Sequence, residues 1–265
     1  MPIEISFHSN GFLLKGKIHP AEGDEALATI ILLHGSPGNE IDVLGLGQKL
    51  SKSNYTVLTF NYSGTYQSEG LFSFENTQHD IHAAYQFLHQ SATIKRFKIN
   101  TSRLYPGGWS YGGGMALAYA AKHPEISRVF SIAGTDHGEF MREYVRDAEY
   151  RGMVNEIFNQ FKQADSPLRL APGATPAEAL EENQDMSPYD LRMCAPQLAS
   201  KHILLIGGWD DPNVKVEHHL LPLYRALKAE NAEHVTIEAF QDNHAFTAMR
   251  EQLAESLIKW MHSVQ

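Results

Sequence analysis

The sequence predicts an α/β protein: a mostly parallel, doubly wound sheet that opens with an N-terminal antiparallel hairpin and is interrupted by a helical cap insertion. Three observations carry that prediction. Short continuous apolar runs alternate with segments of helical periodicity, the pattern of parallel strands covered on both faces. Near the N-terminus, two candidate strands flank Asn10–Gly11, a dipeptide suited to a tight hairpin turn because both residues accept positive φ. Residues 136–200 separate two predicted strands by far more chain than a crossover needs.

In chain order, Ile3–His8 and Phe12–His19 are the hairpin strands. Leu27–Leu33 (LATIILL) is apolar throughout, as a strand buried on both faces must be. Tyr55–Phe60, Val129–Ile132 and His202–Ile206 read the same way, Val235–Phe240 gives a strand near the end, and Arg103–Tyr105 is a weaker one. Helical periodicity covers about 41–52, 75–90, 111–122, 215–230 and 246–263. Within the insertion, 138–161 (GEFMREYVRDAEYRGMVNEIFNQF) is helical in pattern, Leu170–Pro176 is rich in Pro and Gly, and Pro176–Gln184 is a further short helix. The expected division is a core of 1–135 and 201–265 with an inserted 136–200.

Composition narrows the function. Lys and Arg total 22 against 31 acidic residues, a net charge of −9 with no basic cluster, which disfavours nucleic acid and anionic membrane surfaces as partners. No run approaches the roughly 20 apolar residues of a membrane span, and the first 20 residues lack a basic start and apolar run. The expectation is a cytoplasmic protein. Cys194 has no second cysteine to pair with and reads as a small core residue. Oligomeric state leaves no signature in the chain.

Gly108–Trp109–Ser110–Tyr111–Gly112 matches G-x-S-x-G, with a helix following at Met115–Lys122. Such a turn pushes the serine out in a strained conformation, so small residues two before and two after it avoid clashes. The helix N-terminus behind it offers N–H groups to a developing oxyanion.

These residues resemble the nucleophile elbow of the α/β-hydrolase fold, and the resemblance extends over roughly 25–135 and 200–265. GWSYGG (108–113) is similar to the catalytic domains of the prolyl oligopeptidase (S9) group. FNYSGTYQSEG (60–70) resembles the F-x-Y-R-G-x-x-x-S-x-G loop of esterase-like relatives, with Ser63 in place of arginine. HGSPG (34–38) fits the H-G-x-P-G loop of esterases and lipases. Two departures stand out. Pro106 lies in or beside the strand leading to Ser110, implying an early strand end or a bulge, and no β-propeller precedes the domain, leaving any substrate screening to 136–200.

The resemblance implies further parts. An oxyanion donor should come from the loop after the third strand; the backbone N–H of Ser36 is the candidate, since Pro37 has none, and Tyr111 supplies the second. The triad acid should follow the seventh strand, where Asp211 is chosen over Asp210, with Asp136 as a third candidate. The base should follow the last strand, where His244 stands in the right order after Ser110 and Asp211. His79, His82 and His89 read as a helix surface, and His218 and His219 as neighbours pointing apart, so no metal site is expected. Tyr66, His137, Phe140 and Tyr144 are candidate substrate contacts, with Phe158 and Phe161 as further acyl-pocket candidates. The implied activity is hydrolysis of a carboxylic ester through an acyl-enzyme, without cofactor or metal, on a small acyl ester or short peptide. A peptidase or amidase is the alternative with the same chemistry, and a non-catalytic binding member of the fold is the alternative without it.

Overall fold

The computed structural model describes residues 1–41 and 43–263. Strands β1 (Ile3–Ser9) and β2 (Phe12–His19) form the hairpin, with Asn10 and Gly11 both at positive φ. The chain then runs through β3 (Thr29–Leu33), α1 (Leu46–Lys52), β4 (Thr56–Phe60), α2 (Phe74–Leu88), α3 (Ser91–Phe97), β5 (Leu104–Trp109), α4 (Tyr111–Lys122) and β6 (Arg128–Ile132). The insertion carries α5 (His137–Arg146), α6 (Ala148–Phe161), α7 (Pro176–Glu181) and α8 (Ala195–Leu198). Strand β7 (His202–Gly208), α9 (Leu221–Ala229), β8 (Val235–Phe240) and α10 (Arg250–His262) complete the chain.

The eight strands lie in the order β1-β2-β4-β3-β5-β6-β7-β8. The pairs from β4 to β8 are all parallel, while β1–β2 and β2–β4 are antiparallel, so the hairpin extends one edge. Alternation within the strands builds two cores. Ile30, Leu32, Val57, Phe130, Leu204 and Ile206 pack on α1 and α10; Ile31, Leu33, Leu58, Val129, Ile203 and Leu205 pack on α2, α4 and α9. This is why the central strands read as unbroken apolar runs: both faces are dry.

Several boundaries differ from the sequence expectation for local reasons. Strand β5 does not stop near Tyr105. Pro106 stands inside it, opposite Ile31 of β3, and the ladder to β6 begins one residue later at Gly107, so the missing donor falls where only one flank is paired. Gly107 faces the Phe130 ring so closely that a Cβ would overlap it. Helix α1 starts at Leu46, after Gly45 at positive φ; of the expected 41–52, Asp42 lies outside the described residues. The stretch 138–161 is two helices, because Asp147 accepts from the Glu149 and Tyr150 N–H groups and caps a new start. Residues Val216–Leu220 form a wide π-type turn before α9, whose first turn holds Pro222. Helix α3 was not expected; seven residues give too little periodicity to read.

Candidate active site

The elbow is built by close packing. A Cβ on Gly108 would lie 2.7 Å from the Leu33 carbonyl oxygen, and one on Gly112 would lie 2.5 Å from that of His34. Neither position has room for a side chain, so β5 and α4 meet in a turn that only glycine permits. Between them Ser110 takes φ 56°, ψ −124°, a conformation that costs a non-glycine residue on the order of 1–3 kcal/mol. The surroundings hold it: the Ser110 N–H donates to the Ile132 carbonyl (2.9 Å), and its own carbonyl accepts from Thr135 (3.1 Å) and Gly114 (3.2 Å).

Three side chains meet at this turn. Ser110 Oγ lies 2.9 Å from His244 Nε2, and His244 Nδ1 lies 2.6 Å from Asp211 Oδ2. The other carboxylate oxygen of Asp211 accepts from the Asn213 (2.8 Å) and Val214 (2.9 Å) amides, and the side chain is fully buried. An ionised carboxylate only accepts, so Nδ1 carries the imidazole proton and Nε2 is left to accept from the serine hydroxyl. Asp211 follows β7 and His244 follows β8, on the sheet rim where β5 delivers Ser110.

Two anchors of the His244 loop carried no signal in the sequence. Trp109 Nε1 donates to the His244 carbonyl (2.8 Å), and the two rings lie 5.1 Å apart. Asp242, buried, accepts from the amides of Asn243 (2.8 Å), Ala248 (3.0 Å) and Met249 (2.8 Å), tying that loop to the start of α10.

The other acids stand elsewhere. Asp210 is exposed and accepts from Gln241 Nε2. Asp136 caps α5 by accepting from Gly138 and Glu139 and also takes the Leu191 N–H. Burial, with Asp190 nearby, pushes its carboxyl up to about 6.

A cavity of about 370 Å³ opens beside Ser110. Ser36 and Tyr111 both line it. The Tyr111 amide opens α4 and so has no acceptor within the helix, and a Cβ on Gly35 would sit 3.1 Å from that of Ser110, so the loop bearing Ser36 lies against the elbow. His137, Phe140, Phe158 and Phe161 also line the cavity. Tyr66 and Tyr144 are not among its walls. Tyr66 instead straps two loops together, its N–H donating to the Pro167 carbonyl and its carbonyl accepting from Arg169. Tyr144 is buried under α5, donating its hydroxyl to Asn155 Oδ1 (2.6 Å). Among the walls that sequence reasoning missed are Phe72, Phe74 and Leu168, and on one face of α6 Tyr150, Met153, Val154 and Ile157; for the α6 residues the helical spacing of 150, 153, 154 and 157 was the available signal.

Burial lowers the His137 ring to about 3 and the His34 and His219 rings to about 4, so all three are neutral at pH 7. His218 and His219 do not point apart as expected: both face Glu143, at 2.5 and 3.9 Å, because the π-type turn sets that carboxylate between them. His79 and His82 hydrogen-bond to Asn10 and Tyr119, and His89 to the Tyr85 carbonyl. No cluster able to hold a metal ion occurs among the described residues, and none of their helices is long and apolar enough to cross a membrane. Burial pushes the Cys194 thiol up to about 11. A larger open groove of about 780 Å³ lies beside the hairpin, lined by Glu4, Lys15, Lys17 and Arg96, away from the Ser–His contact.

Comparison with known proteins agrees with this architecture. Residues 28–226 match the family model described as alpha/beta hydrolase fold. The uncharacterized protein YfhR of Escherichia coli K12 is 25% identical over 255 residues, covering 94% of this chain and 75% of that protein. Among solved structures, an esterase from Pyrococcus furiosus superposes with a TM-score of 0.70 at 16% identity, covering 99% of this chain and 91% of the other. An acylaminoacyl peptidase from Pyrococcus horikoshii gives 0.73 at 17% identity, covering 99% of this chain but 41% of the peptidase.

Proposed function

The chain belongs to the alpha/beta hydrolase fold family, and from that premise we propose that it is a serine hydrolase cleaving carboxylic esters through an acyl-enzyme. The observation that carries the reading is the unbroken line Ser110 Oγ–His244 Nε2 (2.9 Å) and His244 Nδ1–Asp211 Oδ2 (2.6 Å) beside a cavity.

Ser110 Oγ attacks the ester carbonyl while His244 Nε2 takes the hydroxyl proton; the imidazolium then gives that proton to the departing alkoxide. Asp211 holds the imidazole in the accepting tautomer and stabilises its charged form. The Ser36 and Tyr111 amides bind the oxyanion; loss of one such donor costs on the order of 10²–10³ in rate. Water, deprotonated by His244, then attacks the acyl-serine and the serine leaves as the free hydroxyl. No step needs a metal or cofactor. Segment 136–200 acts as a cap, its helices α5 and α6 walling the cavity.

Labelling with a fluorophosphonate tests the nucleophile. The folded protein is expected to label at Ser110 and to hydrolyse short 4-nitrophenyl esters, and Ser110→Ala is expected to do neither. Retained hydrolysis in that variant, or resistance of the intact protein to label, ends the reading. An amide substrate would use the same groups with His244 protonating a leaving amine, so matched ester and anilide pairs separate esterase from peptidase.

A further inference from the structure

The cavity beside Ser110 is lined by apolar and uncharged polar side chains and imidazoles. Among the described residues no Asp, Glu, Lys or Arg lines it. Its walls include Phe72, Phe74 and Leu168 together with Tyr150, Val154 and Phe158 of α6, with Met153 and Ile157 at half-exposed positions of that helix. Its imidazoles are His137, neutral at pH 7, and His244, which faces Ser110.

The Lys, Arg, Asp and Glu side chains of 136–200 all lie outside its lining. The inserted segment holds six basic side chains. Arg142 and Arg192 pair with Glu139, Arg142 also with Asp190, and Arg146 lies 3.6 Å from Glu139. Arg151 donates to the Tyr144 and Val145 carbonyls, Lys162 to Glu178, and Arg169 to the Tyr66 and Ser68 carbonyls. None of these six cations lines the cavity. The acids next to the insertion base, Asp136, Glu139, Glu143 and Asp190, are committed to those arginines, to helix capping or to His218. None of these acids lines the cavity.

Resting on the hydrolase reading above, we infer that this cavity selects esters of uncharged, apolar acyl groups and excludes acyl groups bearing an ammonium or a carboxylate, with α6 as the selecting wall. Two physical terms set the choice. Each methylene moved from water into the cavity favours the transition state by about fourfold, until the space is filled. At about 30 Å³ per water-sized group, 370 Å³ holds about a dozen such groups, enough for an acyl chain of about eight carbons with its ester oxygens. A charge brought into the same space finds no partner, and an unpaired buried charge costs on the order of 10²-fold or more in binding. A free α-amino acyl group, the substrate of an aminopeptidase, is thus disfavoured by the walls.

The experiment compares matched 4-nitrophenyl esters on the wild-type protein, each rate divided by the spontaneous rate of the same ester. 4-Methylpentanoate and leucine share a carbon skeleton and differ by the ammonium; hexanoate and adipate monoester differ by a terminal carboxylate. The uncharged member of each pair is expected to have kcat/KM higher by on the order of 10²-fold, and the straight-chain series is expected to rise about fourfold per methylene to about eight carbons and then level. Equal rates within a pair, or a preference for the charged member, overturn the inference while leaving Ser110-dependent ester hydrolysis standing. Loss of all ester turnover overturns both readings together. Ile157→Glu, at a half-exposed position of α6, tests the wall itself. It is expected to shift the leucine to 4-methylpentanoate ratio toward leucine by about two- to fivefold. An unchanged ratio removes α6 from the selection.

Discussion

Replacing Asp211 by Asn changes one atom and poses a question the site can answer in only two ways. The carboxylate has two oxygens with separate duties: Oδ1 accepts from the Asn213 and Val214 amides, and Oδ2 accepts from His244 Nδ1. An asparagine has one oxygen. If it keeps the two backbone donors, its NH₂ faces Nδ1, which must then accept, and the imidazole proton moves to Nε2. His244 then presents a proton to Ser110 where a base is needed. If instead the oxygen turns to His244, the NH₂ abuts two N–H groups beside a fully buried side chain, leaving both unsatisfied at about 1–3 kcal/mol each. The first arrangement is cheaper, so the wrong tautomer prevails. The expected loss in kcat is about 10⁴-fold, the scale seen when a triad aspartate is amidated, with a melting temperature close to wild type. Steady-state hydrolysis of a short 4-nitrophenyl ester measures the rate, and thermal denaturation checks the fold. Asp210→Asn is the control: its oxygens meet Gln241 at the surface, and its kcat is expected within about twofold. A fall in kcat of less than tenfold for Asp211→Asn, with the protein folded, would refute the tautomer argument.

Three further predictions come from other parts of the molecule. Gly112→Ala places a methyl 2.5 Å from the His34 carbonyl oxygen, so a loss of about 1–3 kcal/mol is expected in chemical denaturation; an unchanged midpoint would show that the elbow has slack. Asp242→Ala strips the acceptor from three amides in the His244 loop and is expected to lower stability by about 2 kcal/mol and kcat together, whereas a variant that melts lower with full activity would disconnect the two. The depressed His34, His137 and His219 rings bind fewer protons folded than unfolded between their folded values (about 4, 3 and 4) and the ordinary 6.5. Unfolding at pH 5 therefore takes up about three protons at these rings, so their contribution to stability is complete above pH 6.5 and is lost as pH falls toward 4. Asp136, raised to about 6, acts oppositely, stabilising less as pH climbs from about 4 to 6. Melting curves from pH 5 to 7 are expected to rise with pH, and Asp136→Asn is expected to steepen that rise; a flat profile contradicts the imidazole count.

Much of the sheet was legible because its central strands are buried on both faces and so advertise themselves as apolar runs, as Leu27–Leu33 does; the edge strand Val235–Phe240, only partly buried, is read from its alternation and β-branched residues. Strand β5 was the weak reading because its close packing needs Pro106, Gly107 and Gly108, which carry no apolar signal. The positions of Ser110, Asp211 and His244 followed from order and strand ends, since each lies just past a strand on one rim. Tyr66 and Tyr144 misled because an aromatic ring at a plausible position says nothing of which way it faces; one serves a loop strap and the other the underside of α5. Trp109 acts through a backbone carbonyl of a distant loop, and a contact between residues 109 and 244 has no local trace in the chain; Asp242 acts on amides one to seven residues ahead, where an aspartate before a helix reads as an ordinary turn residue.

The strand order sends the chain ends after β3, β5, β6, β7 and β8 to a common rim, while residues 136–200 leave that rim after β6 and rejoin the sheet at the opposite end of the strands, where β7 begins beside the start of β6. That stretch walls the cavity with α5 and α6 and also sends Leu191, Ala195 and Leu198 into the core beneath α4. The hydroxyl, imidazole and carboxylate all stand outside it, on the turns after β5, β8 and β7.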